Sequence, residues 1–99
     1  MDWLFDQAPN VATVTCRPVI EGAPILVVTH YLDDHSWAFL DGQVWDQSKA
    51  LVVGMKTVID AHPYIKELAD LPPGWRAERA SEEAPWIRTI DPPEYDNDA

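Results

Sequence analysis

His30, Asp33, Asp34 and His35 form the one compact group of residues in this chain whose types suit metal or acid–base chemistry. Two carboxylates and two imidazoles combine hard oxygen with borderline nitrogen donors, a set that suits Mn or Zn if a loop folds them together. A metal-dependent enzyme built on these four residues is therefore one reading. The simpler reading is a solvated turn beside one histidine on a sheet face, because nothing nearby supplies the supporting hydrogen bonds that orient metal ligands. Other chemistries lack parts. One Cys and three His are thin stock for a zinc site. Cys16 has only Arg17 beside it to lower its pKa, and a buried, inert thiol is the plainer reading. Ser36, Ser48 and Ser81 sit in no nucleophile-elbow setting. Ser36 adjoins His35 and Asp34, but triad members must converge in space, which adjacency does not ensure. Glu82 and Glu83 fall in a polar turn, where neighbouring carboxylates usually face water. Glycines stand alone at 22, 42, 54 and 74, so neither spacing of a phosphate-binding loop occurs. No cofactor is implied, and the sum of these readings is a non-catalytic protein.

The elements that would position these residues alternate between strand and helix periods. Trp3, Leu4 and Phe5 precede Pro9 as a short docked turn. Val11 to Cys16 has the β-branched alternation of a strand, which Pro18 interrupts. Ile25 to Leu32 is apolar on both faces, as in a central strand. Asp33 to Ser36 then reads as a hairpin loop leading into a strand from Trp37 to Leu40. With all four loop residues unpaired, Leu32 would face Trp37 and His30 would face Phe39. After the apolar run Leu51 to Val53, Met55, Val58, Ile59 and His62 recur at helical spacing, with Gly54 at the start. Pro63 can open a second short helix with Tyr64, Ile65 and Leu68 inward. Trp75 to Arg79 and Trp86 to Ile90 return to a strand pattern. The expected fold is α+β: a small, mostly antiparallel sheet with one or two short helices packed on one face.

Size and charge set further bounds. Ninety-nine residues, 46% of them hydrophobic and five of them Trp, make one self-supporting domain, expected over residues 1–90. Residues 91–99, with four acids, two prolines and little to bury, read as a disordered acidic tail. The net charge of −10 is uneven: residues 1–46 carry seven acids against Arg17 alone, while residues 47–90 balance six against six. Nucleic-acid binding needs clustered Lys and Arg, so it is excluded, and an anionic membrane surface is disfavoured. No apolar run is long enough to span a bilayer. The acidic start and single Cys point to a cytoplasmic protein without a signal peptide. Acidity of this kind can serve solubility alone, or steer the chain onto a basic protein. For the second role the candidate interface is Asp33, Asp34, Asp41 and Asp46, with Trp45 in the loop Gly42–Gln47 as an aromatic anchor.

A resemblance supports the partner-binding reading. The hairpin from Pro24 to Gly42, with Trp37, Phe39 and Leu40, is one half of it. The other half is Leu51 to Val53, His62-Pro63-Tyr64-Ile65, Glu67-Leu68, and Leu71-Pro72-Pro73-Gly74-Trp75-Arg76-Ala77-Glu78-Arg79. Together these resemble a small bacterial domain similar to the immunity proteins of polymorphic toxin systems. The resemblance implies a protein that neutralises a toxin domain by binding it. A housekeeping adaptor for another partner would carry the same features.

Overall fold

The computed structural model describes residues 3–43 and 46–90; Trp45 and the expected tail over residues 91–99 lie outside them. Six strands, β1 (Ala12–Cys16), β2 (Val27–His30), β3 (Trp37–Leu40), β4 (Ala50–Gly54), β5 (Trp75–Glu78) and β6 (Ile87–Ile90), make one sheet in the order β4-β1-β3-β2-β5-β6. Two helices, α1 (Arg17–Ile20) and α2 (Met55–Ala61), and the 3₁₀ segments Gln47–Lys49 and Pro63–Leu68 complete the described elements. The protein is α+β, and its sheet is mostly antiparallel, as expected, but mixed through one parallel pairing. β1 and β3 run parallel, with Val14 opposite Ala38, and the other four pairings are antiparallel. The cause is the path of the chain: it leaves β1 through α1, enters the sheet at β2, and the hairpin folds β3 back into the space beside β1.

The hairpin register also differs from the expected one. His30 lies opposite Trp37, Val28 lies opposite Phe39, and the Tyr31 N–H donates to the Ser36 carbonyl at 2.8 Å. The four loop residues are thus Leu32 to His35. His35 takes a left-handed conformation, φ 60°, and the Asp34 carboxylate accepts the Ser36 N–H at 3.0 Å, which together close the turn. This register puts Trp37, Phe39, Val28 and His30 on one face of the sheet.

That face carries the core. Met55, Val58 and Ile59 of α2 are fully buried, while Lys56 and Asp60 on its other side pair with each other. Ile65 and Leu68 from the following 3₁₀ segment and Val19 from α1 join the same cluster with Phe5, Trp37, Phe39 and Ala77. Pro18, expected to interrupt a ladder, instead opens α1, where its missing N–H costs nothing. Thr13 and Thr15 point into the core as well; their hydroxyls are satisfied by the carbonyls of Trp37 and Phe39 on the neighbouring strand. Leu51 to Val53, legible only as an apolar run, is the edge strand β4, paired over five residues with β1.

The second face of the sheet is different in kind. Across it runs the row Val52, Val14, Ala38, Thr29, Arg76 and Thr89, each residue opposite the next. Among the sheet residues of this face only Arg76 and Glu78 are charged, and they pair with each other at 3.4 Å. Val52 is 70% exposed and Ile87 64%.

Candidate functional site

The potential metal cluster does not come together. His30 is 2% exposed, and both its ring nitrogens are engaged: Nδ1 lies 2.7 Å from the Leu71 carbonyl and Nε2 3.0 Å from the Asp6 carboxylate. Each ring nitrogen is thus turned to a protein oxygen, and neither faces an open position where an ion could sit. The ring also stacks on Trp37, centroids 3.9 Å apart. Asp6 accepts a second bond, from Trp37 Nε1 at 2.9 Å. One carboxylate therefore ties the N-terminal segment to β2 and β3, and Phe5 beside it packs edge-on against Trp37. His35 is half exposed and 4.0 Å from Asp6, while Asp34 turns to Ser36. No group of three or more His, Cys, Asp or Glu among the described residues is arranged to hold a metal ion. The Asp6 partnership escaped sequence reading because 24 residues separate it from His30.

His62 shows the contrasting arrangement. Ile25 N–H donates to Tyr64 Oη at 2.9 Å, the Tyr64 hydroxyl can donate to His62 Nδ1 at 3.1 Å, and His62 Nε2 can donate to the Val19 carbonyl at 2.8 Å. Every member of this chain is satisfied with a neutral ring, which makes it a structural tie between α1 and the end of α2.

The four described aspartates of the candidate interface fall into two groups. Asp33 and Asp34 lie in the loop before β3; Asp41 and Asp46 lie beyond its other end. The four residues of β3 span about 13 Å. β3 is an interior strand, so the acids mark two ends of the sheet and not a shared edge. Trp45, the expected anchor, is outside the described residues. None of the four aspartates forms an ion pair with Lys or Arg among the described residues. Two are tuned by their own turns. The Ser48 hydroxyl, 2.7 Å away, and the Ser48 N–H hold the Asp46 carboxyl below its ordinary pKa. The Ser36 side chain and N–H do the same for Asp34. Both groups stay ionised well below neutrality.

Asp41 and Asp46 border a groove of about 240 Å³ at the end of the second sheet face. Its floor is Val27 and Leu40, its walls include Lys49, Arg76 and Glu78, and Cys16 lies at its side. Cys16 is buried, and no described base touches its sulfur within hydrogen-bond reach. Sequence reading passed over the groove because its lining comes from five separate stretches of chain that only the strand order assembles.

No helix among the described residues is long and apolar enough to cross a membrane. No protein-family model matches the chain, and neither the curated proteins nor the solved structures yield a match.

Proposed function

We propose that this is a non-catalytic protein-binding domain of the immunity type, which neutralises a basic toxin domain by docking it on the second face of the sheet. The observation that carries this reading is the arrangement of charge. A face with a single internally paired Arg–Glu couple and exposed Val52 and Ile87 is flanked by Asp33, Asp34, Asp41 and Asp46, none of which forms an ion pair with a lysine or arginine among the described residues. An apolar centre with a charged rim is the anatomy of a specific interface, and the sign of the rim selects a basic partner. Val14 and Val52 supply apolar area on the β1–β4 side of the face, while Asp33 and Asp34 at one end of the strands and Asp41 and Asp46 at the other steer and orient. The resemblance to immunity proteins gives the same partner class independently. The occupied nitrogens of His30 and the buried Cys16 favour binding over catalysis.

The test is co-expression in a bacterial host of the reading frame adjacent to this gene, with and without the chain. Arrest of growth by the neighbour, relieved by the wild-type chain and poorly relieved by the combined Asp33→Asn and Asp34→Asn variant, is the expected result. A harmless neighbour, or rescue indifferent to the aspartates and to Val14→Lys, would count against the reading.

A further inference from the structure

The outer edge of β4 carries a pattern of its own. The Met55 N–H donates to the Val11 carbonyl at 2.9 Å, which sets the parity of the β1–β4 ladder. In that parity Thr13–Val53 and Thr15–Leu51 are the hydrogen-bonded pairs, whereas Ala12–Gly54, Val14–Val52 and Cys16–Ala50 are not. The N–H and C=O of Val52, the C=O of Ala50 and the N–H of Gly54 therefore point away from β1. No described strand lies beyond them. The Ala50 N–H is already used, donating to Gln47.

We propose that two copies of this chain pair antiparallel through β4, about a two-fold axis at Val52, so that the sheet runs on across the dimer. The free groups match that operation and no other occupant is needed to satisfy them. Val52 exchanges both its bonds with the second copy's Val52, and each Gly54 N–H meets the Ala50 carbonyl opposite, giving four main-chain bonds. The used Ala50 N–H is a donor this register leaves out. A two-fold axis perpendicular to the sheet keeps each face continuous, so the two Val52 side chains meet on the second face and Leu51 meets Val53 on the core face.

Two more observations favour a second copy at this edge. The strand Ala-Leu-Val-Val-Gly has no charge or proline to block pairing, unlike the opposite edge β6, which carries Arg88 and is flanked in sequence by Pro85 and Pro92. Around β4, Asp46 and Asp60 are balanced by Lys49 and Lys56, so a chain of net charge −10 meets its copy at this edge without a local excess of acid.

Sedimentation equilibrium of the full chain decides the matter, with Val52→Pro and Val52→Lys beside it. Proline removes only the outward N–H, so pairing with β1 survives, and circular dichroism should show an intact fold. The wild type is expected to dimerise reversibly, to twice the 11.2 kDa chain mass, and more tightly as salt screens the shared negative charge. Each variant should weaken the dimer at least tenfold. Val52→Lys leaves the main chain untouched and decides the question if the proline variant does not fold. A wild type that stays monomeric at millimolar concentration, or a dimer that Val52→Lys leaves unchanged, overturns the proposal.

Discussion

Removing the carboxylate of Asp6 tests whether the N-terminal segment is an integral part of the fold. In Asp6→Ala, Trp37 Nε1 loses its acceptor and His30 Nε2 loses its partner, and both rings are buried. A buried polar group left without a partner costs about 1–3 kcal/mol. Asp6 is 38% exposed, so water can reach part of the vacated space and the lower end applies to each group. The sum is about 2 kcal/mol. For a domain of this size each kcal/mol moves the melting temperature by about 4–8 °C, so the variant should melt about 8–16 °C below the wild type. Thermal unfolding followed by far-ultraviolet circular dichroism reads the shift. A double-mutant cycle with Trp37→Phe isolates the indole bond, which should appear as a coupling of about 1 kcal/mol. A melting temperature within about 2 °C of wild type would show that the segment is only loosely laid against the sheet, and would refute the reasoning.

Other outcomes follow from the same geometry. Ile59→Ala opens a cavity beneath α2 and should cost about 2–5 kcal/mol by denaturant unfolding; an unchanged midpoint would remove Ile59 from the core. Because Ser48 holds Asp46 below its ordinary pKa, the stability from that contact is complete above the unfolded carboxylate range and is lost as pH falls through the lower folded value. A carboxyl NMR titration should show the Asp46 pKa rising in Ser48→Ala, and no rise would mean that another group sets it. In binding kinetics against the partner, Asp33→Asn with Asp34→Asn should lower the association rate and flatten its dependence on salt, leaving the melting temperature within about 2 °C of wild type. An association rate indifferent to both would assign the acids to solubility alone.

What the sequence conveyed was local. The helical spacing of Met55, Val58 and Ile59 predicts α2 and its buried face, and the alternation in residues 11–16 and 75–79 predicts strands that the structure contains. The strand order was not legible, since the parallel contact of Val14 with Ala38 depends on where the β2–β3 hairpin inserts, and no local propensity encodes that. β4 was missed because three apolar residues before a helix start carry no period of their own. Pro18 read as a breaker because its effect on a strand is more familiar than its fitness for the first turn of a helix. The hairpin register shifted because His35 took a left-handed conformation that residue type permits but does not announce. His30 stood out as a candidate, while its true partner, Asp6, could be found only by folding the chain.

The binding face itself is tested most directly by mapping it. With the partner identified by the growth assay, amide chemical-shift changes in the labelled chain should fall on Val14, Thr29, Val52 and Thr89 and on the loops bearing Asp33, Asp34 and Asp41. Changes confined to the opposite side, at Lys56, Asp60 and Lys66, with the sheet face silent, would contradict the account.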